Sequence, residues 1–306
     1  MDHKYIITKD GCIGVTIGYN HPNGGEIGWL AYAPREFLGE KYFSKKYNRD
    51  MVGKTYVKVF GEFIKNWKKQ HYDKIMKYLS KSFPDYFYKD KFWGQINFFP
   101  NKKILRVIDK GNYSNNFNKR LLTELKKFFG LKANEIDIIS TKSFGLNNGS
   151  DYDIMIKGLS ASIKVKDKVR KLTKDISNQF ITPKGTPHKR IFIYKNNKID
   201  LFFRYKKNEE PLGKFSCEIK GYKRITDKVI DDTYSMFIPS IYKLEKNGTL
   251  ITYFTKHIML LKKGDIIQFR AREIKINSPK SKKFSGKGLL INSRGEWIKI
   301  LNRSFK

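Results

Sequence analysis

The string SDYDIMIKG places two carboxylates, Asp151 and Asp153, at alternate positions immediately before the apolar run Ile154, Met155, Ile156. In a β-strand, residues i and i+2 point to one face. The segment therefore predicts a strand that enters a core while holding two acids side by side at the rim of a sheet. A third acid, Asp200, lies in KNNKIDLFFRY, a second short apolar strand. Carboxylates this close repel each other unless a cation neutralises them. Mg²⁺, a hard ion that takes oxygen ligands, is the simplest cation for the role. The competing explanation is local: Asp commonly caps turns where loops meet strands.

The surrounding pattern extends the reading. Phe117, Leu121, Leu122, Leu125, Phe128 and Phe129 recur at helical spacing and stop at Gly130. A strand is predicted at Ile136–Ile139, another at Tyr152–Ile156, and a helix marked by Val165, Val169, Leu172 and Ile176. Arg190–Tyr194 and Lys198–Tyr205 then form a hairpin about Asn196-Asn197. Upstream, short strands at Tyr5–Thr8, Cys12–Tyr19 and Ile27–Tyr32 precede a helical pattern from Tyr56 to about Leu79. The aromatic, lysine-rich stretch FPDYFYKDKFWGQINFFPNKK is read as core in preference to a base-stacking platform. Downstream of residue 212 the chain is strand-rich, with GLLINSRGEWIKIL expected as a closing hairpin and SPKSKKFSGKG as a loop. The fold class expected is α+β. It has an N-terminal β plus helical domain (1–112), a central α/β domain with a mixed sheet (113–210), and a C-terminal β-rich, small barrel-like domain (211–306).

The central third, roughly residues 115–206, resembles the DNA polymerase β-like nucleotidyltransferase superfamily. That signature is a hydrophobic residue, Gly, Gly or Ser, a spacer of about nine to thirteen residues, then acid–hydrophobic–acid–hydrophobic. Ile139, Ser140 and Thr141 stand at its start, KSFGLNNGS fills the spacer, and Asp151, Tyr152, Asp153 and Ile154 close it. Ser140 occupies the place where the family normally has glycine, and Thr141 replaces the usual Ser. The resemblance implies two Mg²⁺ ions (or Mn²⁺) held by Asp151, Asp153 and Asp200, with an NTP contacted at Ser140, Thr141 and Gly145. A lysine of the 164–174 helix would balance the triphosphate. The phrase LKKGDIIQFRAREI also resembles the third-to-fourth strand region of OB-like small barrels, which commonly bind nucleic acid.

Charge points to the partner. Lys and Arg number 63 against 29 Asp and Glu, a formal net of +34 over 306 residues. An AT-rich coding bias accounts for many lysines but would raise Glu as well, so the surplus implies a polyanion, RNA or DNA. Lys262, Lys263, Arg270 and Arg272, with Lys282, Lys283 and Lys287, are the residues expected to meet it. No apolar run approaches the length of a membrane span, and Cys12 and Cys217 are too far apart in sequence to suggest a zinc or disulfide framework. A reduced, cytoplasmic setting is expected. Three rival functions share these features: a catalytically degenerate nucleic-acid-binding protein, a metal-dependent nuclease, and a nucleotidyltransferase with a protein or small-molecule acceptor. The nuclease lacks a His or Lys beside the acid pair in the sequence.

Overall fold

A computed structural model describes residues 3–37, 48–51, 54–59, 77–108, 116–139, 151–172, 180–181, 190–194, 197–292 and 295–303. The chain is of mixed helix and strand, with its strands in three sheets. It divides into two compact units, one built mainly on His21–Asn112 and the other on Ser150–Lys306. The central and C-terminal parts, expected as separate domains, carry separate sheets within the second unit.

In the first unit, β1 (Tyr5–Thr8), β2 (Ile13–Thr16), β3 (Gly25–Pro34), β4 (Asn48–Met51), β5 (Lys54–Lys58), β6 (Phe87–Asp90), β7 (Gly94–Pro100) and β8 (Ile104–Ile108) form an antiparallel sheet. Strand β3 pairs with β2, with β7 through Gly25–Gly28, and with β5 through Tyr32–Pro34. The helical spacing expected from Tyr56 makes no helix there, because Tyr56–Lys58 belong to β5. There Val57 joins the buried cluster with Ile6, Leu30, Tyr86 and Phe99. Sheet hydrogen bonds to both β3 and β4 override the helical spacing at this point. Residues 60–76 lie outside the described residues, and 77–82 are helical. Tyr86, Trp93 and Phe99 of the aromatic stretch are buried. Phe99 lies on the bare backbone of Gly14, where a Cβ would come within 2.1 Å of the ring.

Cys12 is fully buried in this core, and burial pushes its thiol up to about 12, with the Asp10 charge adding to the effect. Only the thiolate reacts. A maleimide reagent is therefore expected to modify native Cys217 well before Cys12, with the order lost in denaturant. The raised thiol also contributes stability that is complete below its ordinary value and lost as pH rises through about 12. A Cys12→Ala variant should lose alkaline stability less steeply in a pH-resolved melting series.

The second unit begins with α1 (Asn116–Phe129), followed by β9 (Ile136–Ile138), β10 (Asp151–Lys157), α2 (Leu159–Leu172), β11 (Phe180–Ile181), β12 (Ile191–Tyr194) and β13 (Asn197–Arg204). Their sheet has the order β11-β12-β13-β10-β9. Leu121, Leu125 and Phe129 give α1 one buried face at four-residue steps. It ends at Gly130, whose φ is +65°, with the Leu131 N–H donating back to the Lys126 carbonyl at 2.9 Å. Strand β10 passes straight into α2 through Gly158 at φ +99°, and the Glu209 carboxylate accepts from the Leu159 N–H at 2.8 Å. Tyr194 pairs with Asn197, so Asn197 opens β13 and is not a turn residue.

The third sheet holds β14 (Ser216–Tyr234), β15 (Ser240–Leu244), β16 (Gly248–Thr252), β17 (Ile266–Asn277), β18 (Gly286–Ile291) and β19 (Trp297–Asn302). Strands β14-β15-β16-β18-β17 run in that order and β17 pairs back onto β14, closing a five-strand ring. Strands β16 and β18 are parallel; the other pairs are antiparallel. Val229, Tyr242, Leu250, Phe269 and Leu289 fill its interior. The expected closing hairpin does not form. Strand β17 is long enough to offer one edge to both candidates, pairing with β19 along Ile266–Arg270 and with β18 along Arg272–Ile276. Nor is the 278–288 segment a bare loop: Phe284 is buried, and the Ser278 hydroxyl donates to the Leu212 carbonyl at 3.0 Å.

Candidate functional site

Strand β10 has β9 on one edge and β13, in parallel, on the other. The register sets Asp153 directly opposite Asp200 and position 151 opposite Lys198. Opposed residues share a face, and neighbouring strands lie about 4.8 Å apart. Positions 151, 153 and 200 thus fall on one face of the sheet, although Asp153 and Asp200 are separated in the chain by all of α2 and β12. The opposite face carries Tyr152, Ile154, Ile156, Ile199, Leu201 and Phe203, all buried. Helix α1 packs there, with Phe129 against Phe192 and Phe128 against Tyr194. Helix packing consumes the apolar face and leaves the acids on the other.

That acid-bearing face includes two cations the sequence did not flag. The Arg190 guanidinium lies 2.9 Å from the Asp200 carboxylate, over the ring of Phe202 two residues on. Both side chains are largely buried, at 9% and 16% exposed. Lys198, the neighbour of position 151, gives the acid pair the adjacent lysine that linear spacing failed to show. Further along the same face Lys157 pairs with Asp137 at 2.8 Å. Opposed carboxylates are oxygen donors of the kind Mg²⁺ or Mn²⁺ takes, so the residues fit such an ion in kind. Arg190 already neutralises part of Asp200 and must share it or give way. Among the described residues, which do not include the Asp151 side chain, no three His, Cys, Asp or Glu side chains are grouped to hold a metal. Ser140, Thr141 and Gly145, expected at the nucleotide, lie outside the described residues.

The basic face of α2 has structural tasks. Lys164 donates to the Gly130 carbonyl at 2.6 Å and Lys168 to the Phe128 carbonyl, so both satisfy the open C-terminus of α1. Lys166 and Arg170 reach Asp232 of β14 at 3.5 and 2.7 Å. These four contacts take up cations of the helix expected to balance a triphosphate.

The seven residues expected at a polyanion are dispersed. Lys262 and Lys263 lie on the turn before β17, where the Lys262 N–H donates to Asp265. Arg270 is exposed on β17. Arg272 is 7% exposed and lies 2.8 Å from the fully buried Glu296 carboxylate, so its guanidinium is directed inward. Lys282 and Lys283 follow β17, with Lys283 3.3 Å from Asp231. Lys287 stands opposite Lys275, on the other pleat face from Arg270. The exposed face of β17 changes along its length: the even positions 266 and 270 are exposed at one end, the odd positions 275 and 277 at the other.

No helix among the described residues is long and apolar enough to cross a membrane. Comparisons with protein-family models, with characterised proteins and with solved structures return no match.

Proposed function

We propose that the chain is a metal-dependent nucleotidyltransferase that moves a nucleoside monophosphate from an NTP to a hydroxyl of a nucleic acid. The observation that carries the reading is the register of β10 and β13, which brings Asp153, Asp200 and position 151 onto one face of a sheet backed by helices. Asp151, Asp153 and Asp200 would hold the metal. When bound, divalent ions supply charge neutralisation at the triphosphate and at the departing pyrophosphate. The chain's own part is positional. Asp200 would orient an acceptor hydroxyl and take its proton, with Arg190, 2.9 Å away, offsetting part of its charge. The nucleic-acid acceptor is supported by the net +34 charge and by the five-strand ring. Numbered along the chain, that ring has the order 1-2-3-5-4-1 with a parallel 3–5 pair, the connectivity of OB-like barrels. The free cysteines Cys12 and Cys217 are in keeping with a reduced cytoplasmic setting.

Lys198 beside position 151 favours a second reading, metal-dependent phosphodiester hydrolysis. One assay separates the alternatives: each labelled NTP with Mg²⁺ or Mn²⁺, and RNA, DNA or protein as acceptor. Label in nucleic acid with pyrophosphate release is the expected result. Label in protein alone moves the acceptor. Shortening of the nucleic acid without NTP makes the chain a nuclease, and inertness throughout sinks the transfer reading.

A further inference from the structure

On the outside of the ring, Arg224 of β14 stands directly opposite Arg270 of β17, and both are exposed. Like charges opposed across a sheet destabilise the pair. Among the described residues neither guanidinium has a carboxylate within ion-pair distance. Each instead lies over an aromatic ring of the same outer face: Arg270 is 5.2 Å from the centroid of Tyr222, and Arg224 is 5.4 Å from that of Trp297. Gln268 accepts from Arg224 at 3.1 Å, and Lys299 stands opposite Gln268 on β19. Acids on nearby positions are engaged elsewhere, Glu296 with Arg272 and Glu273 with Lys223. Tyr222 is 55% exposed, so its ring is accessible to a ligand.

We propose that this face of β14, β17 and β19 binds single-stranded polynucleotide, with bases stacking on the Tyr222 and Trp297 platforms and phosphates meeting Arg224, Arg270 and Lys299. Rings alone would serve an apolar partner, and lysines alone any polyanion. A ring beneath each of two guanidiniums that repel one another matches a ligand alternating anionic groups with flat π-faces about one nucleotide apart. Stacking holds the guanidiniums in place, and a phosphate between them removes the repulsion. The inference rests on the nucleic-acid part of the proposed function and is independent of nucleotidyl transfer.

The test is fluorescence anisotropy with labelled single-stranded RNA, single-stranded DNA, duplex DNA and heparin, without NTP, at several salt concentrations. Single strands should bind more tightly than duplex. An Arg224→Gln/Arg270→Gln variant should lose at least about tenfold in affinity, and its log–log salt slope should fall by roughly 1.4, two contacts at about 0.7 each for a single strand. Its melting temperature should hold or rise as the repulsion is removed; a clear fall would mean the pair is structural and would overturn the proposal. Tyr222→Leu, at an exposed position, should weaken single strands at least about fivefold but leave heparin unchanged. Equal losses for heparin and oligonucleotide, or wild-type binding by both variants, would also overturn it. A Lys275→Gln variant on the other pleat face should bind like wild type.

Discussion

An Asp153→Asn protein should fold normally and transfer nucleotide at no more than about one hundredth of the wild-type rate. The side chain faces Asp200 across two hydrogen-bonded strands, and the change removes charge without changing shape. Loss of a mere outer-shell partner typically costs 10–100-fold in metal affinity or activity, so a ligand should cost at least the upper figure. Its melting temperature should stay level or rise slightly, because two opposed acids become one acid and an amide. Asp200→Asn should differ in kind. It also removes the counter-charge of Arg190, which is only 9% exposed, so both activity and stability should fall. Initial rates with labelled NTP and parallel thermal melts read both effects. Retention of most activity by Asp153→Asn would leave the acid pair no part in the chemistry.

The largest stability loss is expected from Asp232→Ala. Asp232 faces Lys166 and Arg170 from α2, and the three side chains are 13%, 5% and 16% exposed. Breaking a buried pair typically costs about 3–5 kcal/mol, because a charge is left without compensation. Here two cations would be left, so the melting temperature should drop by roughly 6–20 °C. Burial already holds the Lys166 ammonium below its ordinary value, with Asp232 offsetting only part of the effect. A lysine shifted down costs stability while charged, and that cost fades as pH rises from its folded value towards the ordinary one. The Asp232→Ala protein should therefore regain stability towards alkaline pH more than wild type, and Lys166→Met in the same background should restore part of the loss. A variant melting within a degree of wild type would show that the node is solvated.

The individual strands of the acid-bearing sheet could be read from the sequence, because alternation and short apolar runs are local signals. Asp151–Lys157 and Asn197–Arg204 are strands, as DYDIMI and KIDLFF suggest. Their mutual register is a tertiary fact, and so are its consequences. Arg190 reads as the start of a strand and gives no local sign that the hairpin will lay it on Asp200. Lys198 is far from Asp151 in the chain and adjacent only once the parallel pairing exists. A lysine of 164–174 is expected at the triphosphate, because nothing in sequence says that two of them will meet the carbonyls ending α1. Arg270 and Arg272 share a strand parity, which suggested a common exposed surface. Their burial is instead decided by what lies around each: Arg224 and Trp297 flank one, while the other lies between Tyr222 and Leu290 and reaches the buried Glu296 carboxylate. Tyr56–Lys58 shows the same limit in the first unit, where neighbouring strands claim residues whose spacing is helical.

The parallel pairing of β16 with β18 has a consequence for how the chain is made. The ring is complete only when Gly286–Ile291 inserts between β16 and β17, and these residues leave the ribosome after every other strand of the ring. Until then β16 and the far half of β17 present open edges flanked by Leu250, Ile251, Ile274 and Ile276, all of which are buried in the finished protein. An unpaired apolar edge invites pairing with another chain. The interval before Gly286–Ile291 emerges is therefore the one in which a nascent barrel is most exposed to chaperones or to its neighbours on a polysome.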